Sequence, residues 1–379
     1  MHESPPGRPA RPLRILHLTL AADPGGLSRY ITNLGAALVE RGHQVTAAGD
    51  EGAWRWAFDE APFPYLPIPL KAGPVGLWKS ARRLREWLAA NPVDLIHAHY
   101  RRAVLLGRRL QKSAPGGRRP PLLYTLHLSH IEIGGWRRWF SDFGDHTHVA
   151  SADAGQWLVD EAGVPEDRIT LIPHGIEVGR FPRRTEADRQ AARRQLGLPP
   201  DAVVAAYVGR LDSPKNEAWC MDVLPPAHQA GVNLHLVYAG EGPGEAALRD
   251  FVVRAGLGDR VHLLGHRDPL PVYQAADLLL LPSEREGFSL VCAEAMSVGV
   301  PHVRTRTSGA TELTIDNVTG QGVPIDRRAF AGAAARLLAQ PQLLAEMGEN
   351  GARLIRDRFT FDRQVEDTIG LYRRLAGRA

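Results

Sequence analysis

Short apolar runs alternate with helical patterns along most of the chain. The first run is RILHLTL at 14–20, and apolar positions with helical spacing follow it over 26–43. Later runs are QVTAAG (44–49), DLIHAHY (94–100), PLLYTLHL (121–128), THVAS (147–151) and RITLIPHG (168–175). Leucine-rich or β-branched strands that alternate with amphipathic helices predict a parallel sheet covered by helices on both faces.

A second series of the same kind starts near residue 202. Its runs are AVVAAYVGRL (202–211), NLHLVYAG (233–240), RVHLLG (260–265), DLLLLPS (277–283) and VPHVRT (300–305). The charged segment 181–200 interrupts the pattern between the two series. The chain is therefore predicted to be α/β, with two doubly wound parallel-sheet domains at 1–180 and 201–357, a linker at 181–200 and a terminal amphipathic helix within 358–379. Ligands of such sheets bind beyond the carboxyl ends of the strands.

Length and composition are consistent with this organisation. A chain of 379 residues suits two domains, and 44% apolar with 23% charged residues is ordinary for a soluble globular protein. The sequence contains no apolar run of about 18 residues, and its proline-rich start lacks the apolar core of a signal peptide. We therefore expect a cytoplasmic protein. Cys220 and Cys292, both in apolar contexts, are expected to be small buried hydrophobes.

Positive charge is concentrated in the first domain. Residues 78–140 contain 13 basic and 3 acidic side chains. Arginine pairs account for much of this excess: Arg101, Arg102, Arg108, Arg109, Arg118, Arg119, Arg137 and Arg138. They form either a solvated face or a surface for anionic lipid headgroups or an anionic acceptor, and Trp136 and Trp139 would anchor such a surface at a membrane. Nucleic acid is not expected as a partner.

Gly25 and Gly26 follow the first strand and open the first helix. Glycine permits close approach of a ligand, and a helix N-terminus attracts anions, although a simple turn would also use glycine here. The motif is not Gly-x-Gly-x-x-Gly, so a dehydrogenase is disfavoured. In the second domain, Arg210 and Lys215 follow the first strand. Two cations at a strand end suit a diphosphate, with surface cations as the alternative.

The stretch EREGFSLVCAEA, residues 284–295, combines two carboxylates with a helix start. Glu286 lies in the loop after a buried strand, and Ser289 is placed to cap the next helix, so that the amides of residues 288–290 form an anion site. Glu294 lies among apolar or small residues. A buried carboxylate without a partner is costly, so either this helix is more exposed than its composition indicates or a ligand binds Glu294; we expect the ligand.

His97 and His99 alternate on one strand and resemble a pair of metal ligands. No third ligand with zinc-like spacing accompanies them, so a structural or substrate-orienting role is favoured. The sequence also contains no Asp-x-Asp motif. We therefore expect neither a metal ion nor a cofactor, and cations with helix amides would stabilise a bound diphosphate.

Glu286 and Glu294 reproduce the Glu-x7-Glu signature of the retaining GT-B glycosyltransferases of family four, and the chain resembles that family over nearly its whole length. Further matching segments are GG (25–26), DLIHAH (94–99), TLH (125–127), HGIE (174–177), VGRLDSPK (208–215), YAGEGP (238–243), LLGHR (263–267), SGATELTID (308–316) and LYRRL (371–375). The chain departs from the family at Glu177, where Asp is usual, at Asn216, where Gly is common, and at Gln321, where an aromatic or aliphatic residue often stands.

The resemblance implies a GT-B fold with a cleft between the domains and a C-terminal helix that crosses back to the N-terminal domain. It also implies transfer of a hexosyl unit, with retention, from a nucleotide sugar, most often a UDP-sugar, to a glycan, lipid-linked or small-molecule acceptor. Such a reaction belongs to polysaccharide or glycoconjugate biosynthesis. A nucleotide-sugar epimerase, a phosphorylase or a non-catalytic lipid- or partner-binding protein are the alternatives.

The resemblance also assigns residue roles. Glu286 would bind a sugar hydroxyl, Glu294 the ribose, and Arg210 and Lys215 the diphosphate, while His127 would lie near the donor sugar. Catalytic roles are thus expected for Glu286, His127, Arg210 and Lys215. The other residues expected at the donor are Gly25, Gly26, Gly265, His266, Gly287, Phe288, Ser289, Leu290 and Glu294.

Overall fold

A computed structural model describes residues 11–112, 119–127 and 141–377, and the chain divides into two compact units. The first unit comprises the residues up to Val149, together with Ala154–Ile172 and Val365–Ala379. The second unit comprises Ala150–Asp153 and Pro173–Gln364.

The first unit is built on a parallel sheet of seven strands in the order β3-β2-β1-β4-β5-β6-β7. The strands are Arg14–Ala21 (β1), Gln44–Asp50 (β2), Tyr65–Pro67 (β3), Leu95–Ala98 (β4), Leu122–Leu126 (β5), His146–Val149 (β6) and Ile169–Leu171 (β7). The helices are Gly26–Glu40 (α1), Arg55–Asp59 (α2), Gly73–Ala90 (α3), Arg101–Lys112 (α4) and Ala152–Asp160 (α5), with a 3-10 turn at Glu166–Arg168. The strand order reverses between β1 and β4, which are neighbours in the sheet.

The second unit repeats the architecture with six parallel strands in the order β10-β9-β8-β11-β12-β13. Its strands are Val203–Val208 (β8), Leu234–Ala239 (β9), Val261–Leu263 (β10), Leu278–Leu281 (β11), His302–Thr305 (β12) and Gly320–Val323 (β13). Its helices are Glu186–Gln195 (α6), Leu224–Gln229 (α7), Glu245–Arg254 (α8), Leu270–Ala275 (α9), Leu290–Val298 (α10), Ala310–Leu313 (α11), Arg327–Leu338 (α12) and Pro341–Arg358 (α13), with a 3-10 segment at Glu217–Val223. Here the order reverses between β8 and β11.

The strands of the second sheet are buried on both faces. Along β11, Leu279 and Leu281 contact one apolar cluster, whereas Leu278 and Leu280 contact the other. A fully apolar strand such as LLLL is what burial on both faces requires, because alternate side chains point to opposite faces. The helices on each face shield the sheet, and the polar ends of the strands remain as the place for chemistry.

The final helix, Phe361–Leu375 (α14), links the two units. Its residues from Val365 onward belong to the first unit, where the Tyr372 hydroxyl lies 2.7 Å from His97 Nδ1. The predicted two-sheet α/β architecture and the return of the terminal helix to the first unit are confirmed.

Two strands and one helix were not expected from the sequence. Strands β3 and β13 are short edge strands of three and four residues. The segment 181–200 contains α6, which begins with a reciprocal cap: Thr185 Oγ1 accepts from the Asp188 amide at 3.2 Å, and an Asp188 carboxylate oxygen accepts from the Thr185 amide at 2.8 Å. This capping box sets the start of the helix.

Candidate functional site

The switch point of the second sheet brings Lys215 and Glu286 together. Lys215 follows β8 and Glu286 follows β11, and these strands are adjacent where the strand order reverses. Lys215 Nζ lies 2.7 Å from Glu286 Oε1, and the two side chains are 24% and 12% exposed. Partial burial makes such a pair stronger than a surface ion pair. The sequence predicts both residues after the ends of strands, and the structure shows that their side chains form an ion pair.

Hydrogen bonds to backbone carbonyls hold the two loops of this pair against each other. The amide of Glu284 donates to the carbonyl of Pro214 at 2.8 Å, and Asn216 Nδ2 donates to the carbonyl of Pro282 at 3.2 Å. Asn216 has φ +53°, a left-handed conformation that Asn tolerates better than most residues. This explains why Asn can stand at a position where Gly is common.

Arg210 is placed differently from Lys215. Its side chain is 73% exposed, and Nη2 lies 3.2 Å from Asp212 Oδ2. A long, exposed guanidinium can reorient at little cost, so Arg210 can supply a second cation at the end of β8.

Helix α10 starts directly behind the Glu286 loop. Ser289 is its N-cap, and its hydroxyl accepts from the Cys292 amide at 3.3 Å, as expected from the sequence. Phe288 is buried, and its ring packs against His174 and Phe359, with centroids 5.7 Å apart in each case. The Phe288 ring therefore anchors the loop, while Leu290 is the first residue of the helix.

A second loop supports Gly287 from behind. A Cβ atom on Gly309, which has φ +68°, would lie 1.8 Å from the carbonyl oxygen of Gly287. Arg304, fully buried on β12, donates from Nη2 to Thr307 Oγ1 at 2.8 Å and from Nη1 to the Gly309 carbonyl at 3.3 Å. Sequence reasoning missed Arg304, although a charge inside the apolar run VPHVRT was an available signal.

Glu294 has a protein partner. The Tyr273 hydroxyl donates to Glu294 Oε2 at 2.8 Å. Burial and the neighbouring Glu294 carboxylate raise the pKa of Tyr273 well above its usual value, so the hydroxyl stays protonated and remains a donor. The sequence indicated a ligand as the partner of Glu294, and the structure adds a protein partner that was not expected. Binding of a ligand by Glu294 stays a prediction. Tyr273 lies on α9, 21 residues earlier, and nothing in the local sequence indicated it.

Gly265 and His266 lie beyond the end of β10. Gly265 has φ +65°, and its carbonyl accepts from the Gly240 amide at 2.9 Å. His266 is exposed, and its amide donates to Glu241 Oε1 at 3.3 Å. The turn is thus tied to the loop after the neighbouring strand β9.

The first unit has its own switch-point loops. Gly25, with φ +145°, precedes α1 without a side-chain cap, and a Cβ on Gly26 would meet no atom within 4 Å. Asp23 in this loop forms an ion pair with Lys71 Nζ at 2.7 Å. The carbonyl of Lys71 accepts from Arg102 Nη1 at 3.3 Å. Lys71 is therefore tied to the glycine loop through Asp23, and Arg102 contacts the backbone of Lys71.

Several histidines lie on the central strands β1 and β4 of the first sheet or directly after β4 and β5. His17 on β1 pairs in register with His97 on β4, and His97 Nε2 lies 2.6 Å from Thr125 Oγ1. His99 connects His17, at 2.8 Å, with the half-buried His127, at 3.2 Å. The sequence indicated His97, His99 and His127 but missed His17, because a register between distant strands is not visible in local spacing.

The basic segment of the first unit is partly neutralised. Arg108 forms ion pairs with Asp142, at 2.7 Å, and with Asp145. Arg119 Nη2 lies 3.2 Å from Asp145 Oδ1. Arg118, Trp136, Arg137, Arg138 and Trp139 lie outside the described residues.

Comparison with known proteins identifies the family. Residues 202–340 match the family described as Glycosyl transferases group 1, and residues 24–180 match Glycosyltransferase Family 4. A D-inositol 3-phosphate glycosyltransferase of Acidothermus cellulolyticus is 30% identical over 404 aligned positions, which cover 94% of this chain and 87% of that protein. The chain belongs to glycosyltransferase family 4.

Solved structures share the fold of this chain. HepE of Anabaena, crystallised with UDP, is 22% identical with a TM-score of 0.81 and covers 95% of this chain and 99% of its own. A glycosyltransferase from Rickettsia africae is 15% identical with a TM-score of 0.81 and covers 97% of this chain and 100% of its own. The predicted GT-B fold is confirmed, and the protein is a glycosyltransferase. Among the described residues, no helix is long and apolar enough to cross a membrane.

Proposed function

We propose that this glycosyltransferase moves a hexosyl unit from a UDP-sugar to an acceptor with retention of anomeric configuration and without a metal ion. The observation that carries the proposal is the half-buried ion pair between Lys215 and Glu286, which are 2.7 Å apart at the switch point of the second sheet. A lysine at a strand end suits a diphosphate, and a carboxylate beside it suits a sugar hydroxyl. The UDP in the HepE crystal supports uridine as the nucleoside.

The pair suggests how binding could proceed. A bound diphosphate would compete for Lys215 and leave Glu286 to accept from a hydroxyl of the transferred sugar. The exposed Arg210 would turn onto the diphosphate, and the amides at the start of α10 would face it. Glu294, oriented by Tyr273 at 2.8 Å, would use its remaining acceptor capacity for the ribose.

In the chemical step, the bond between the anomeric carbon and the diphosphate oxygen breaks, and the bond to the acceptor oxygen forms on the same face of the sugar. The departing phosphate oxygen takes the proton of the acceptor hydroxyl. Negative charge grows on the diphosphate, and Lys215 and Arg210 would stabilise it more in the transition state than in the ground state. Two protein cations would thus supply the stabilisation for which other transferases use a metal.

For the acceptor, we propose a small polyhydroxylated molecule that carries a phosphate. Two relatives that are 29% and 30% identical to this chain are D-inositol 3-phosphate glycosyltransferases. Lys71 pairs with Asp23 of the glycine loop after β1, and Arg102 contacts the carbonyl of Lys71. Cations of this kind bind phosphate.

A screen of donors against acceptors tests the proposal. UDP-, GDP- and ADP-sugars would each be incubated with inositol 3-phosphate, inositol and a lipid-linked sugar. The masses of the products would be measured by mass spectrometry. We expect UDP release together with an acceptor that gains one hexosyl mass. Donor conversion without an acceptor would indicate an epimerase, a need for inorganic phosphate would indicate a phosphorylase, and no conversion of any donor would contradict an enzymatic role.

We also propose that helix α3 of the first unit contacts anionic membranes. Val75 and Trp78 are 61% and 57% exposed, and Lys79, Arg82 and Arg83 are exposed on the same helix. A face that combines exposed apolar side chains with basic ones is typical of helices that lie in the membrane interface. Arg108 and Arg119 of the predicted patch pair with carboxylates at 2.7 and 3.2 Å, and Arg82 of the α3 face lies 3.7 Å from Glu86. The exposed apolar side chains Val75 and Trp78 are therefore what favours the α3 face as a lipid surface.

Vesicle sedimentation tests this surface. The wild type should sediment with vesicles of anionic lipid at low salt and be released as salt is added. Changing Trp78 to Ser and Lys79, Arg82 and Arg83 to Gln should weaken binding by about 100-fold, at roughly 1 kcal/mol per charge. The matched control changes three exposed arginines of the second unit, Arg254, Arg353 and Arg356, to Gln. Equal loss in both variants, or no sedimentation of the wild type, would contradict the proposal.

A further inference from the structure

Three histidines in the first unit form a continuous hydrogen-bonded row. His17 Nδ1 lies 2.8 Å from His99 Nε2, and His99 Nδ1 lies 3.2 Å from His127 Nε2. The rings of His17 and His99 stack, with centroids 5.1 Å apart and an interplanar angle of 12°. The residues come from β1 and from the ends of β4 and β5, so the parallel sheet itself sets the row.

The first two rings of the row are neutral. Burial lowers the pKa of His17 to about 3 and holds the pKa of His99 well below its usual value. A neutral imidazole has one N–H and one bare nitrogen. His99 therefore cannot donate to both neighbours, and the direction of the hydrogen bond on one side fixes the direction on the other.

The far end of the row sets that direction. His17 is fully buried, and its Nε2 has no hydrogen-bond partner among the described residues. A buried N–H without an acceptor is among the rarest and costliest features of native proteins, so the bare nitrogen belongs at this position. The proton of His17 then lies on Nδ1 and is donated to His99 Nε2. His99 in turn donates from Nδ1 to Nε2 of His127.

We propose that His99, held by His17, is a positioning residue that fixes the His127 ring with its proton on Nδ1. The inference rests on the proposed function and on the place near the donor sugar that the family resemblance implies for His127. In this state Nε2 of His127 is already occupied as an acceptor, and Nδ1 carries a proton. The ring can donate a hydrogen bond but cannot act as the general base, which agrees with proton transfer to the departing phosphate.

A metal ion is the competing explanation of the cluster. One ligand nitrogen from each of His17, His97 and His99 lies within 4.8 Å of the others. However, both nitrogens of His97 already have partners, Tyr372 at 2.7 Å and Thr125 at 2.6 Å. A metal would have to displace at least one of these bonds as well as the contact between His17 and His99. The hydrogen-bonded row therefore accounts for the geometry with less disruption.

Two variants of His99 separate its two contacts. His99→Asn keeps an amide nitrogen near the Nδ1 position and so retains a donor to His127, whereas His99→Gln keeps a polar group near Nε2 and loses that donor. We expect kcat to fall by about 10- to 100-fold in His99→Gln and to be largely recovered in His99→Asn. Affinity for UDP should be unchanged in both, because the groups proposed to bind the diphosphate belong to the second unit. Equal kcat in the two variants would overturn the proposal.

Nitrogen-15 NMR of the wild type with nitrogen-15-labelled histidines provides a test that needs no turnover. We expect a pyridine-type signal for His127 Nε2 and a pyrrole-type signal for His127 Nδ1, assigned from the spectrum of His127→Asn. A proton on His127 Nε2, or one equivalent of bound transition metal by elemental analysis, would overturn the proposal. Because this measurement uses the resting protein, its failure is distinguishable from a failure to find the donor and acceptor.

Discussion

Replacing Lys215 with alanine is expected to lower kcat by about 100- to 1,000-fold and to change the donor KM by less than tenfold. Lys215 pairs with Glu286 at 2.7 Å in the free protein, so donor binding would exchange one anionic partner for another. The net gain on binding is therefore small. When the diphosphate departs, its negative charge increases and the lysine contributes most. Steady-state kinetics over a range of donor concentrations separates the two parameters.

Removing Lys215 leaves the Glu286 carboxylate without its cation, although that side chain is only 12% exposed. A control variant must separate this effect from the loss of the lysine. Lys215→Ala should therefore be compared with the double variant Lys215→Ala/Glu286→Gln, in which no unpaired carboxylate remains. Arg249→Ala removes a cation of the same unit that pairs with Glu245 on the surface, and it should leave kcat unchanged. If Lys215→Ala raised the donor KM by more than tenfold while its kcat equalled that of the wild type, the leaving-group role would be wrong.

Glu294→Gln is expected to weaken binding of UDP by about 1 to 3 kcal/mol, which corresponds to roughly a 5- to 150-fold higher Kd. The Tyr273 hydroxyl donates to one oxygen of Glu294 at 2.8 Å. A glutamine has a single oxygen, so it must lose either the bond from Tyr273 or an acceptor for the ribose. Isothermal titration calorimetry with UDP measures the difference directly.

Tyr273→Phe is the matched comparison for Glu294→Gln. It removes only the hydroxyl that orients Glu294 and keeps the aromatic ring in the core, where Tyr273 is fully buried. We expect a smaller loss of UDP affinity than in Glu294→Gln, because Glu294 keeps its negative charge and both carboxylate oxygens. Unchanged UDP affinity in a folded Glu294→Gln protein would contradict the assignment of Glu294 to the nucleotide.

The fold was predictable from the sequence because its strands are buried on both faces. Runs such as DLLLLPS and NLHLVYAG can hardly be exposed, and their alternation with helices leaves few topologies. The short edge strand Tyr65–Pro67 was not predictable, since three residues carry no periodicity. Helix α6 was missed because its charged residues resemble a linker, although its capping box at Thr185 and Asp188 is a local signal that could have been used.

The candidate site was predictable only in part, because its contacts are long-range. Sequence reasoning placed Lys215 and Glu286 after the ends of strands, but their separation of 71 positions hides the contact. The Tyr273 partner of Glu294 and the His17 partner of His99 depend on packing between elements in the same way. Motifs mark which residues carry chemistry, whereas the orientation of those residues depends on neighbours that only the tertiary structure brings close.

The central claim is retaining transfer from a UDP-sugar without a metal, and real-time proton NMR of the anomeric signal tests it most directly. The protein would be mixed with UDP-glucose and acceptor in the presence of EDTA. We predict release of UDP and a first-formed product whose anomeric coupling is that of the α configuration of the donor. A β-configured first product, or turnover that requires added magnesium, would contradict the account.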